Sequence, residues 1–439
     1  MRALHENHAV SVSCRKAKNA QEQVHDLNVF FAYDSRINYK RESMFICQLT
    51  ISRLRAKLFY MGYKNSKADG DPAYLTENSY KNDNIRAVDA KFEAQKIAFA
   101  PLSFQAIKSM LDLGLMQLIE DAGDQGISPD ELAEKSGVSL YGINVLCEMA
   151  LGMNVIKLSK DSSVQKEKFT LGKIGWMLLE DECTRANFYF TADICYQGAF
   201  SMTESIRNSK PEGLKVFGSQ WTTIYEALSS LPQKEKKSWF TFDHFYSDIA
   251  FPQALSIVFK NKPQTLVDIG GNTAKWAILC CKHDPDVKVT IVDLPGQTAV
   301  AEKNAAEQGF ASRIGTYSGN VLREETTLPK NPDAFWMSQF LDCFSLHQIT
   351  KISKKICETS SKSTKTYVLE PLWDKQKFAG NAYSLQATSL YFTCMANGNS
   401  KMYRSKELID AIEAGGLKLS NEYDELGANS YTLLEFRKA

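Results

Sequence analysis

Thr265-Leu266-Val267-Asp268-Ile269-Gly270-Gly271-Asn272-Thr273-Ala274-Lys275 runs an apolar strand straight into a glycine turn, and Trp276 to Cys281 follows as a helix. A turn of this kind lets the backbone approach a ligand closely at the carboxyl edge of a parallel sheet. Downstream, the strand Val287 to Val292 ends in Asp293, closed by Leu294-Pro295. Asp293 lies 25 residues after Asp268, the position from which a carboxylate accepts hydrogen bonds from both hydroxyls of a ribose. A third strand region, Gly315 to Val321, ends in Ser318-Gly319-Asn320-Val321, where an Asn can bond an adenine edge. The fourth, Ala334 to Phe340, leads into Leu341-Asp342-Cys343-Phe344, and the fifth, Thr366 to Leu369, ends in Glu370. Strands alternating with helices predict an α/β, Rossmann-like domain.

The spacing of the turn narrows the ligand. A GxGxxG fingerprint starting at Gly270 needs glycine at Asn272 and Lys275, and one starting at Gly271 needs it at Thr273 and Trp276. Nothing therefore cradles a pyrophosphate, and a dinucleotide is disfavoured. A sulfonium ligand carries no phosphate and makes no such demand.

Upstream the pattern is helical. Ile97, Leu102, Ile107, Leu111, Leu115 and Leu118 suit a long amphipathic helix or a helix pair. Ser128-Pro129-Asp130-Glu131 is a capping box, and Ser139 opens a helix through Ile143, Leu146 and Met149. Val155 to Leu158 and Lys168 to Leu171 read as two short strands around a polar turn at Asp161 to Gln165. Together these form a winged helix. The helix from Ser139 to Gly152 has no Lys or Arg and is largely apolar, so burial against a partner accounts for it better than a DNA groove. Residues 185 to 251 are dense in aromatics, which suits core packing and one wall of a pocket for a flat, apolar compound.

Bulk properties set the frame. A chain of 439 residues favours two domains and an appendage. With 44% apolar and 23% charged residues it has ordinary globular composition, and no apolar run approaches the roughly 20 residues that span a bilayer. No membrane partner is expected. The formal net charge of +1 gives no global attraction to nucleic acid. Ten cysteines without a CxxC pair read as reduced thiols in a cytoplasmic protein, and no metal site is expected. Residues 1 to 70 stand apart, with 12 Lys or Arg against 6 Asp or Glu, while the rest carries 40 against 45. That segment reads either as a disordered or loosely helical extension or as sequence upstream of the true start, Met44 and Met61 being internal candidates. Its acidic residues argue against a transit peptide.

The residues from about 92 to 439 resemble the small-molecule O-methyltransferases typified by plant caffeate enzymes and by bacterial polyketide and hydroxyindole methyltransferases. The strand Leu266 to Gly271, the Asp293-Leu294-Pro295 strand end, the Gly319-Asn320-Val321 turn and the closing helix and hairpin carry the likeness. The resemblance implies a class I methyltransferase fold with a winged-helix dimerisation domain at about 85–240, a catalytic domain at 241–439 and an extension at 1–75. It implies S-adenosylmethionine as cofactor, a homodimer, and a cofactor site lined by Asp268, Gly270, Gly271, Asp293, Leu294, Gly319, Asn320, Val321 and Ser338. The chain departs from the family at Asn272 and Ala274, which stand for glycine, and at Asn320, which stands for Asp.

The reacting end also departs. The family has histidine followed by Asp-Trp-Ser where this chain has Asp342-Cys343-Phe344-Ser345, so the usual general base is missing, and the second orienting carboxylate falls near Met402. Methyl transfer to oxygen aligns nucleophile, methyl and leaving sulfur and removes the hydroxyl proton. Asp342, Glu370 and His244 are the candidates for that work, while His347 reads as a surface histidine and His283 as structural. Two functions follow: O-methylation of a hydroxyl on a small aromatic or polyene-like metabolite, or a cofactor-binding homologue that has lost catalysis and acts as a subunit or regulator.

Overall fold

The structure is a computed structural model that describes residues 73–439 apart from 77, 78, 82, 161, 163–165, 249, 428 and 429, and it leaves undescribed the side chains of 229, 244 and 246–248. The expected extension thus lies outside the described residues up to 72. At 73–75 it meets an ordered segment: Tyr74 bridges Phe378, Leu75 N donates to Lys377 O at 3.0 Å, and Ala379 N donates to Ala73 O at 3.0 Å.

Helices α1 (Ala87–Ala98), α2 (Ala100–Asp112) and α3 (Leu115–Asp121) replace the single long helix or pair. Two residues impose the breaks. Pro101, in the first turn of α2, has no N–H to donate to a continuing helix, and Gly114 turns between α2 and α3 at a φ of 69°. Ile107 and Leu115 are buried, whereas Ile97 and Leu102 are exposed. Helix α4 (Pro129–Ser136) carries the full Ser128–Glu131 capping box, and α5 (Leu140–Gly152) is capped by Ser139. Strands β1 (Ile156–Leu158) and β2 (Phe169–Leu171) pair antiparallel and complete the winged helix. Part of the turn expected at 161–165 falls outside the described residues.

Helices α6 (Lys173–Glu180), α7 (Glu182–Phe190), α8 (Met202–Asn208), α9 (Ile224–Ala227), α10 (Gln233–Asp248) and α11 (Phe251–Val258) follow. Residue 240, the domain boundary expected from sequence, falls inside α10. Phe190, Ile224, Trp239 and their neighbours share one core with Leu385, Tyr391, Phe392 and Met402, so this helical segment caps the second half of the chain.

Strands β3 (Thr265–Ile269), β4 (Lys288–Asp293), β5 (Ile314–Ser318), β6 (Ala334–Ser338), β7 (Lys365–Glu370), β8 (Leu417–Leu426) and β9 (Tyr431–Lys438) form one sheet in the order β5-β4-β3-β6-β7-β9-β8. All neighbours are parallel from β5 to β7, and β9 pairs antiparallel with both β7 and β8. Helices α12 (Lys275–His283) and α13 (Pro295–Glu307) connect the first strands. Helices α14 (Leu346–Thr359), α15 (Ala379–Tyr391) and α16 (Ser405–Glu413) lie between β6 and β8 in sequence. The two-residue period of the strands sorts side chains into two layers. Leu266, Ala334 and Trp336 face one core with Phe251 and Trp276, while Val267, Ile269, Phe335 and Met337 face the other with Ile349, Ile352 and Ile356. Strand order reverses between β3 and β6, so the crevice beyond their carboxyl ends is where an open α/β sheet places its ligand.

Trp336 stacks on Trp276 with ring centroids 3.8 Å apart and planes 9° from parallel, and it is fully buried. Trp336→Ala is expected to destabilise the protein by about 3–5 kcal/mol, read from urea unfolding. A loss under about 1 kcal/mol contradicts the packing described.

Candidate active site

The turn after β3 is held in a conformation that L side chains rarely adopt. Gly270 has φ 79°, and a Cβ there would lie 2.2 Å from the Phe340 ring. Asn272 and Ala274, which stand for family glycines, keep positive φ at 47° and 66°, so the chain retains the turn in spite of the substitutions. Gly271 rests on Asp268, where a Cβ would meet Oδ2 at 2.7 Å.

Asp293 ends β4 beside this turn. Its Oδ2 accepts from Asn272 N at 2.9 Å and its Oδ1 from Leu294 N at 2.7 Å. Burial raises its pKa, and these two amide bonds act against that rise. Asp268 is 2% exposed, and its Oδ2 has no hydrogen-bond partner among the described residues. Burial first, and then the Asp293 charge, push the Asp268 carboxyl up to about 8. Gly319 N donates to Asp293 O at 2.8 Å, and Asn320 Oδ1 accepts from Leu322 N at 3.0 Å, which fixes the turn after β5.

Beyond β6, Gln339 takes φ 46° and donates its amide to Leu369 O at 3.0 Å, and a 3₁₀ turn at Leu341–Cys343 follows. Glu370, 2% exposed, holds this turn from beneath: its Oε1 accepts from Phe340 N at 3.0 Å and Leu341 N at 2.8 Å. From the other side, Asn397 Nδ2 donates to Cys343 O at 2.9 Å and Tyr403 OH donates to Phe344 O at 2.6 Å. Asp342 is 5% exposed, and its Oδ1 accepts from the Cys343 thiol at 3.4 Å. Burial pushes Asp342 up to about 6; Glu370 also moves up, through burial and the neighbouring Asp342 charge.

One cavity of about 750 Å³ joins these parts. Gly270, Asn272, Asp293, Leu294, Gly319, Asn320 and Val321 line one end; Tyr225, Trp239, Phe242, Tyr391, Phe392 and Met402 form the other; Asp342 and Cys343 lie on its wall as well. The aromatic segment thus does supply a cavity wall. Asp268, Gly271, Ser338 and Glu370 do not line it. Asp268 lies under Gly271, Ser338 shares the strand face of Ala334 and Trp336, and Glu370 is spent on backbone amides below the turn. His244 is on α10, but its side chain lies outside the described residues. His347 is exposed near the start of α14, and His283 is exposed with its ring 4.9 Å from that of Phe259. Sequence reasoning missed Gln339 and Asn397 and gave Asp243 no role, whereas Tyr225 belongs to the aromatic segment expected to form a wall. Asn272 Nδ2 donates to Asp243 Oδ2 at 3.2 Å across 29 residues, a pairing with no local signal.

Comparison with known proteins decides the class. Residues 91–163 match the Dimerisation2-like domain, and residues 200–415 match the O-methyltransferase domain. The chain belongs to the O-methyltransferase family. Among its relatives, the L-tyrosine C(3)-methyltransferase of Streptomyces lavendulae is 22% identical over 261 residues, 59% of this chain and 69% of the relative. The 3-hydroxy-5-methyl-1-naphthoate 3-O-methyltransferase of Streptomyces sahachiroi is 25% identical over 180 residues, which is 41% of this chain and half of the relative. The solved structure of the S-adenosylmethionine-dependent methyltransferase SibL superposes with a TM-score of 0.60 at 20% identity, covering 78% of this chain and 98% of that one. The solved structure of human N-acetylserotonin methyltransferase, similar at a TM-score of 0.57 and 14% identity, is a complex with S-adenosylmethionine. The residues of this chain fit a polar ligand on two observations: the orphaned buried oxygens Asn272 Oδ1 and Gln339 Oε1 belong to residues that line the cavity, and the Asp293 carboxylate lies on the same wall.

Two outcomes test the site. Asp293→Ala is expected to weaken S-adenosylmethionine binding by at least about 100-fold in calorimetry, since it removes two charged acceptors contributing about 1.5–3 kcal/mol each; unchanged affinity places the ribose elsewhere. Asp268 has a folded pKa far above its unfolded value of 3.8, so its contribution to stability is full below about pH 4 and is lost as pH rises towards 8. Asp268→Asn should therefore flatten the fall in melting temperature of the free protein between pH 6 and 8. A slope equal to the parent's contradicts the buried carboxyl.

Proposed function

We propose that this enzyme methylates a hydroxyl on a small flat aromatic acceptor, with Asp342 as the general base and Glu370 as a positioning residue. The observation that carries the reading is one cavity whose wall includes Asp342, Asp293 and a set of aromatic side chains. Bound S-adenosylmethionine supplies the electrophilic methyl group. Gly270, Asn272, Asp293, Leu294, Gly319, Asn320 and Val321 would hold it, with Asp268 supporting Gly271 from below. Trp239, Phe242 and Tyr391 sandwich a planar ring and exclude water. Asp342 then accepts the hydroxyl proton. A solvated aspartate, ionising at about 3.9, is a poor base for a phenol of about 10, and burial narrows that gap. Glu370 keeps Asp342 in place by holding the amides of the turn that carries it.

The matched family and the catalysed reactions of both relatives support an active enzyme, and no finding supports the non-catalytic homologue. The tyrosine relative methylates carbon, and removal of a phenol proton also activates the ring carbon beside it. A methoxy rather than a ring-methyl signal in the NMR spectrum of the product separates the two atoms.

The enzyme acts as a homodimer paired through residues 92–180 in this reading. A Dimerisation2-like match covers 91–163, and Phe92, Ile97, Leu102, Leu140, Tyr141 and Val145 expose an apolar surface there. Among the described residues no helix is long and apolar enough to cross a membrane; residence in the cytoplasm is part of the proposal.

Asp342→Asn should lower kcat by about 10²–10⁴ and leave cofactor affinity intact, because the amide keeps the shape but cannot take the proton. His244→Gln is the control. Loss of turnover in the His244 variant with none in Asp342→Asn moves proton removal to α10 and overturns the assignment.

A further inference from the structure

The cavity is unevenly charged. Glu226, Asp243, Asp293, Glu325 and Asp342 line it, against one cation among the described residues, Arg323. Arg323 belongs to the turn after β5, at the cofactor end, with its guanidinium 3.7 Å from Glu325. Among the described lining residues the acidic groups thus outnumber the basic ones five to one. Glu226 accepts from Thr222 N at 3.0 Å and Thr222 Oγ1 at 2.8 Å, neutral donors that leave its negative charge in place. Aromatic faces make up much of the remaining wall, and Trp239 Nε1 donates to Tyr391 OH at 2.9 Å.

From this arrangement, and resting on the function proposed above, we infer that the acceptor enters without an anionic group. The substrate class is a neutral or amine-bearing aromatic hydroxyl compound, and carboxylate-bearing analogues are rejected. Two effects act together. An acceptor carboxylate loses its water in a cavity whose one cation among the described lining residues, Arg323, already faces Glu325. It also sets a second negative charge beside Asp342, which favours the protonated form of the base and reduces the fraction able to accept a proton. An ammonium group meets the opposite situation, since both carboxylates and aromatic faces attract it.

The test uses three matched ligands on the full chain at pH 8: 2-naphthol, an aminomethyl-2-naphthol and a hydroxynaphthoic acid. Dissociation constants are measured by calorimetry with S-adenosylhomocysteine present, and kcat/KM by mass spectrometry of the methylated product. The neutral and amine compounds are expected within about tenfold of each other, and the acid at least about 100-fold weaker on both scales. Glu226→Lys should narrow the penalty of the acid relative to naphthol by about tenfold. An acid that binds or reacts as well as naphthol overturns the inference while leaving methyl transfer intact. If the binding order holds but no compound is methylated, the inference stands and the proposed reaction fails. If none of the three binds, both fall.

Discussion

A carboxylate inside the core governs the reacting end of this protein. Glu370 ends β7 with 2% of its surface exposed and holds the amides of Phe340 and Leu341. Those amides belong to the turn that leaves β6, and a buried turn cannot leave its N–H groups unpaired without a cost of about 1–3 kcal/mol each. Glu370 meets that demand, and the turn then has one position, with Asp342 on the cavity wall. Asn397 and Tyr403 hold the carbonyl side of the same segment. The proposed base is thus fixed by residues from two later parts of the chain.

In the proposed reaction the same arrangement stands in for the histidine that the resemblance leads one to expect. A histidine needs little help to act near neutral pH, whereas an aspartate must be lifted from its usual range. Burial does this for Asp342, against the lowering effect of its hydrogen bonds from Cys343. Asp342 places negative charge where the cavity wall already carries Glu226 and Asp243. Base strength and acceptor choice are consequently linked through one electrostatic environment.

Much of this was legible in the sequence, and the parts that were not have definite reasons. Strand and turn order followed from apolar runs bounded by Gly270, Asp293 and Gly319, because a doubly covered parallel sheet leaves that signature. The capping box at Ser128 and the cap at Ser139 located two helix starts. Strand parity puts Ser338 on the face of Trp336, and Gln339, rotated by its positive φ, lines the cavity. Glu370 was expected to line the site, and nothing local reveals that its oxygen is taken by amides 29 and 30 residues earlier. Tyr225 and Asn397 come from the helical cap and from the loop after α15, brought together only by tertiary packing.

The pH dependence of kcat/KM tests the role of Asp342 as base most directly. Asp342 must be ionised to accept a proton, and its pKa is raised to about 6 in the folded protein. The expected rate is constant well above that pH and falls tenfold per unit below it, with this acidic limb absent from the residual activity of Asp342→Asn. An acidic limb that persists unchanged in the variant assigns proton removal to another group and contradicts that role.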